Sequence, residues 1–196
     1  PYQPVAAEFS GWPAPAYDLY GRLDYLALMT SLGCPFRCDY CASRILQPQL
    51  QRLAPDTFVE QLRRLLPLVM PIQGKCHIAI TDDALLVDAQ RYIIPILRRI
   101  QDLNLPLVFH CPNGLHARFI TAEVAEWMYA CRFQMIRLSY ESAAPDSLAQ
   151  TASDGKITDQ DFAAAVTHLK NAGYSVGQLE AYVLTGLPGQ SMRENE

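Results

Sequence analysis

The sequence predicts a parallel α/β fold on three observations: short apolar runs that end in polar turns, amphipathic stretches between them, and repetition of that alternation from Tyr25 onward. Half of the 196 residues are hydrophobic, enough apolar material for one sizeable core. The expected strands are 25–30, 76–81, 105–110, 134–139 and 178–185. Five such strands with four intervening helices suit an α/β barrel or an open doubly wound sheet, and periodicity does not separate the two.

The elements follow in order. Residues 1–22 carry Pro1, Pro4, Pro13 and Pro15 with scattered aromatics and no clear period, the pattern of a proline-rich linker or docking arm. Residues 23–196 form the folded portion. After the first strand, Thr57 and Glu60 read as a capping box for a helix whose Phe58, Val59, Leu62, Leu65, Leu66 and Val69 share one face. The next helix is expected over 89–103, with Ile93, Ile96, Leu97 and Ile100 inward; Pro95 requires it to start or kink nearby. Thr121 caps a third helix carrying Val124, Met128 and Cys131. The fourth begins at Thr158, with Asp161 three residues on, Ile157 placed to staple against Phe162, and Gly173 as its stop. A turn-rich loop over 185–189 and a polar tail follow, so the barrel-like domain is expected to be truncated here and to continue past Glu196.

Charge and hydropathy exclude several classes. Sixteen basic and twenty acidic residues give a net charge of −4, and no basic run exceeds the pairs Arg63-Arg64 and Arg98-Arg99, so a nucleic-acid partner has no electrostatic support. The longest apolar stretches, 65–72 and 92–97, are far from the roughly 20 residues of a membrane span. Pro1 opens no signal segment, and a cytoplasmic setting is expected.

Three of the six cysteines, Cys34, Cys38 and Cys41, crowd into eight residues, whereas Cys76, Cys111 and Cys131 stand apart. Such clustering favours metal over disulfide. Spacings of three and two residues let one loop wrap three thiolates around a compact 4Fe-4S cluster, leaving one iron open to another ligand. Structural zinc is the competing reading. It needs a fourth ligand, with Cys76, Cys111, His77, His110 and His116 as the available donors, although such residues in strands are more often core. On that reading the chain is a non-catalytic, metal-stabilised binding module. The triplet directly follows the first strand, at the carboxyl end where α/β folds place their active sites.

Cys34, Cys38 and Cys41, with the aromatic Tyr40 before the last cysteine, resemble the signature of the radical S-adenosylmethionine (radical SAM) superfamily. The resemblance implies a partial (β/α) barrel and an enzyme that uses a 4Fe-4S cluster to cleave S-adenosylmethionine reductively. The resulting 5′-deoxyadenosyl radical would abstract hydrogen from an unidentified substrate, a small molecule or a modified macromolecule. It also implies oxygen sensitivity and a reductant such as flavodoxin or ferredoxin. Tyr40 would flank the adenine. Asp82 or Asp83, in 81–85, would stand where the family has a glutamate contacting the methionyl amine; the alternative is that they merely end a strand. Ser139 and Glu141 look like the polar ribose-binding region, and Glu141 in an apolar strand calls for a partner. Gly186 would allow close approach to the cofactor or serve only the turn. Asn113, in the turn signal Pro112-Asn113-Gly114, is a secondary candidate for ligand contact beside a plain turn role. The stretch 17–43 is similar to radical SAM enzymes with an amino-terminal cobalamin domain, which implies cobalamin held outside this chain.

Overall fold

The computed structural model describes residues 8–38, 40–141 and 157–185. Strand β1 (Tyr25–Leu28) pairs in parallel with β4 (Cys76–Ile80), β4 with β5 (Leu107–His110), and β5 with β7 (Phe133–Gln134). A second parallel sheet runs β6 (Leu115–His116), β8 (Ile136–Glu141), β9 (Leu179–Val183). The two sheets are continuous through the chain, because β6 follows β5 and β8 follows β7. The five expected strands thus lie side by side in sequence order, the layout of a partial (β/α) barrel. The third lies within its expected range, and a short further strand, β6, follows it after residues 111–114; the fourth differs from expectation in being broken in two by Met135, with φ of +51°. A methionine in the left-handed region cannot continue a strand, so the ladder restarts beyond it.

Between β1 and β4 lie β2 (Ser31–Leu32), α1 (Ser43–Leu46), β3 (Gln51–Arg52) and α2 (Pro55–Leu65). The antiparallel pairing of β2 with β3 leaves no hydrophobic period in the sequence, and it clamps the base of the cysteine loop. Helix α2 begins earlier than its expected Thr57–Glu60 box: Ala54 is the N-cap and Pro55 the first helical residue. Proline's fixed φ and missing N–H suit that position, which places Thr57 inside the first turn. Helix α3 (Ile93–Asp102) starts two residues before Pro95, where no intrahelical bond is lost, and residues 89–92 form turns instead. For α4 (Ala122–Ala130), Thr121 Oγ1 accepts the Val124 N–H at 3.2 Å. For α5 (Asp159–Ala172), Thr158 and Asp161 exchange both capping-box bonds, and Gly173 ends the helix at φ +118°.

Strand register sorts the side chains. Leu26, Ile78, Phe109 and Phe133 fall on one row, are essentially inaccessible, and the two phenylalanine rings stack at 5.1 Å. Each such side chain contributes about 1.5–3 kcal/mol by leaving water. The adjacent row, Ala27, Ala79, His110 and Gln134, faces the other side.

Part of the amino-terminal arm is docked. Phe9 is buried in the core, with its N–H donating to Gln51 Oε1 at 2.6 Å. Tyr17 Oη donates to the Ala27 carbonyl at 2.6 Å and accepts the Ala27 N–H at 3.0 Å. One phenol thereby satisfies both backbone groups of Ala27 on the outer edge of β1.

Candidate active site

The cysteine loop is held from below. Gly33 has φ of +87°, and a Cβ there would lie 2.4 Å from the Gln49 carbonyl oxygen, so the residue before Cys34 must be glycine. The residues just before it are held by Asp82, which is buried beyond the end of β4 and accepts four hydrogen bonds. Its Oδ1 takes the Thr30 N–H at 2.7 Å; its Oδ2 takes the Thr30 hydroxyl at 2.6 Å, the Ser31 N–H at 2.7 Å and the Ser31 hydroxyl at 2.6 Å. Tyr92 Oη donates to the Thr30 carbonyl, which also accepts the Leu53 N–H at 2.9 Å. The Arg52 guanidinium lies 4.5 Å from the centre of the Tyr92 ring.

Above this base, Cys34, Cys38, Cys41, Tyr40, Asp83 and Ser139 line one cavity of about 210 Å³. A second wall is aromatic. Phe36 stacks on Phe119 with ring centres 5.8 Å apart and meets the His116 ring at 5.1 Å with a tilt of 34°. Gly114 also lines the cavity, and its hydrogen is required: a Cβ would stand 2.5 Å from Ser139 Oγ and 2.7 Å from Tyr182 Cδ2. The Cys41 sulfur accepts the Ser43 N–H at 3.5 Å.

Electrostatics separate the groups. Burial pushes the Cys34 thiol up; the Phe36 amide opposes this, while Cys38, Asp83 and Cys41 add to it. Metal binding at Cys34 therefore displaces a proton. Burial raises Asp82 against the four hydrogen bonds that favour its anion. Cys76, Cys111 and Cys131 are core residues whose thiols are raised by desolvation, and they do not line the cavity.

The sequence-predicted residues divide. The three cysteines, Tyr40, Asp83 and Ser139 meet at the cavity. Asp82 does not: its carboxylate is turned beneath the loop. Asn113 does not line the cavity either, since its amide donates to the Thr81 carbonyl at 2.9 Å and to the Asp82 carbonyl at 3.3 Å. Glu141 ends β8 beyond a register shift that starts at Ser139; its side chain, and the whole of Gly186, lie outside the described residues. Sequence reasoning missed Gly33, Phe36, Gly114 and Phe119, and considered His116 only as a zinc donor. The glycine adjoining Cys34 was a usable signal; the aromatic wall is assembled from distant segments and left none.

No three His, Cys, Asp or Glu side chains among the described residues converge on a point where a single ion would bind. The three thiols instead border a shared space, which fits a cluster in which three irons take one thiolate each and a fourth is left open. The Radical SAM superfamily model matches residues 28–196. The chain belongs to the radical SAM superfamily.

Among known proteins, this radical SAM chain is 25% identical, over its whole length, to an uncharacterized methyltransferase of Pyrococcus horikoshii, of which it spans 42%. It is similar in fold to the radical SAM methyltransferase TsrM from Kitasatospora setae, solved with cobalamin and a [4Fe-4S] cluster. That match has a TM-score of 0.65 at 17% identity and covers 87% of this chain and 32% of TsrM. It is likewise similar to apo OxsB, a cobalamin-dependent radical SAM enzyme, with a TM-score of 0.71, 18% identity, and 96% and 29% of the two chains covered. Among the described residues no helix is long and apolar enough to cross a membrane.

Proposed function

We propose that this chain carries the radical-initiating site of a cobalamin-using radical SAM methyltransferase. The observation that carries the reading is the convergence of Cys34, Cys38, Cys41, Asp83 and Ser139 on one cavity beyond the carboxyl ends of parallel strands. A 4Fe-4S cluster held there by Cys34, Cys38 and Cys41 would supply the electron for reductive cleavage of S-adenosylmethionine to methionine and a 5′-deoxyadenosyl radical.

The protein's own residues hold and orient. Cys34, Cys38 and Cys41 would provide three thiolates and so leave one iron of the cluster for the cofactor's methionyl group. Asp83 is exposed to the cavity and, unlike Asp82, has its carboxylate available to accept a hydrogen bond from the methionyl amine, strengthened by the charge of the acceptor. Ser139 offers a hydroxyl for ribose, and Tyr40 an aromatic face for adenine. The Phe36–Phe119 wall keeps one side of the cavity apolar, which strengthens the polar contacts inside it.

The methyltransferase reading rests on the Pyrococcus relative and on TsrM; the corrinoid would be held outside this chain. The reductant would be a flavodoxin or ferredoxin, and the cytoplasm keeps the thiols reduced. The test is anaerobic reconstitution, reduction, addition of S-adenosylmethionine and chromatography of the products. Methionine and 5′-deoxyadenosine should appear together and be absent with Cys38→Ala. Sustained cluster reduction with an intact cofactor and no 5′-deoxyadenosine would overturn the radical-initiating role.

A further inference from the structure

The two adjacent aspartates differ in burial and in what their carboxylates face. Asp82 is 4% exposed, and both its oxygens are spent on Thr30 and Ser31 at 2.6–2.7 Å. Asp83 is exposed and lines the cavity. Thr30 and Ser31 are the last residues before Leu32, Gly33 and Cys34, so the bonds that Asp82 accepts fix the start of the cysteine loop to the end of β4. The same backbone segment is held a second time by Tyr92, at the Thr30 carbonyl, and a third time by the β2–β3 pairing. The Asp82 carbonyl in turn accepts from Asn113, which brings the loop after β5 into the same assembly.

We infer that Asp82 is a positioning residue: it sets the geometry of the cysteine loop from beneath, and Asp83 alone of the pair faces the cofactor. The inference rests on the radical SAM reading above. Its physical basis is that a carboxylate accepts from four donors, whereas an amide at the same place brings a donor against the Ser31 and Thr30 N–H or O–H groups. Groups that hydrogen-bond the ligands themselves commonly change metal affinity by about 10–100-fold when lost; Asp82 acts through Thr30 and Ser31, three residues or more before Cys34, so the low end of that range is expected. A structural role alone would lower folding stability without altering the cluster's spectrum.

The test compares reconstituted wild-type protein with Asp82→Asn, Asp82→Glu, Asp83→Asn and Ser31→Ala. Readouts are the electron paramagnetic resonance spectrum of the reduced cluster, with and without S-adenosylmethionine, and the rate of iron loss to a chelator. Asp82→Asn should alter the spectrum before the cofactor is added and release iron about 10-fold faster, yet still respond to S-adenosylmethionine. Asp83→Asn should show the wild-type spectrum alone and lose the cofactor-induced change. Asp82→Glu, retaining the charge but not the reach, should not rescue. Ser31→Ala removes one hydroxyl while keeping both backbone bonds, and should show a smaller change in the same direction if Asp82→Asn does not fold. An Asp82→Asn or Ser31→Ala protein with wild-type spectrum and iron retention would overturn the inference, as would loss of only the cofactor response in Asp82→Asn. Failure of the wild type to assemble a cluster would instead strike the underlying functional reading.

Discussion

The two faces of the parallel sheet obey different rules. On the helix-covered face, Leu26, Ile78, Phe109 and Phe133 form one register row from which water is excluded. On the other, the neighbouring positions hold Ala27, Ala79, His110 and Gln134, and His77 Nδ1 lies 2.9 Å from His110 Nε2. The same polar side continues across β8 and β9, where Arg137 pairs with Glu180 at 2.7 Å and Ser139 reaches the cavity. One face is selected for volume and burial. The other is selected for small size and hydrogen bonding, and it leads to the site.

This contrast can be broken from the packed side first. Phe109→Ala should cost about 3–5 kcal/mol in chemical denaturation, because a buried ring leaves a cavity under α3 and α4 that neighbours only partly fill. His77→Ala, on the opposite face of the same sheet, should cost under half as much. Equal losses would mean that the two faces do not differ as described.

Gly33→Ala comes next. The left-handed φ costs an alanine about 1–2 kcal/mol, and its Cβ meets the Gln49 carbonyl at 2.4 Å in addition. The expected result is depressed cluster loading with secondary structure by circular dichroism retained.

A smaller effect is expected at the edge of β1. Tyr17→Phe keeps the ring and removes two hydrogen bonds to Ala27, so unfolding measurements should show a loss of about 1–2 kcal/mol.

The smallest concerns pH. Burial first, then His77 and Arg137, hold His110 below its ordinary value, so the unfolded chain binds a proton before the folded one does. The stability that a neutral His110 permits is present above about pH 6.5 and declines as pH falls toward its folded value. Thermal unfolding of wild type and His110→Gln, compared at each pH, isolates this contribution from Asp82, whose raised carboxyl acts in the opposite sense. The wild type should lose more stability than the variant between pH 7 and 5; parallel curves would remove His110 from the account.

Much of the scaffold was legible in the residues. Thr121, the Thr158–Asp161 box and Gly173 marked helix ends because capping is a local matter of one or two side chains. The first strand and the cysteine loop were legible because Cys34, Cys38 and Cys41 follow an apolar run directly. The start of α2 was misjudged because Thr57 and Glu60 match a capping box in spacing, while Pro55 decides the position by its fixed φ. Met135 gave no warning, since methionine has no preference for the left-handed region and tertiary packing places it there. Asp82 and Asp83 were indistinguishable in sequence: both end a strand and both are acids. Only the fold shows that one is turned under the loop and the other toward the cavity. Asn113 lies at a bend after β5, and its bonds to the Thr81 and Asp82 carbonyls are contacts across the sheet that spacing cannot reveal.

The central claim is that three thiols on one loop assemble an iron-sulfur cluster, and iron and acid-labile sulfide analysis of a cysteine series tests it most directly. The account predicts about four irons and four sulfides per chain in the wild type. These should fall sharply in Cys34→Ala, Cys38→Ala and Cys41→Ala and remain in Cys76→Ser, whose thiol is buried away from the cavity. Stoichiometric zinc without sulfide, or full iron and sulfide loading in Cys38→Ala, would contradict it.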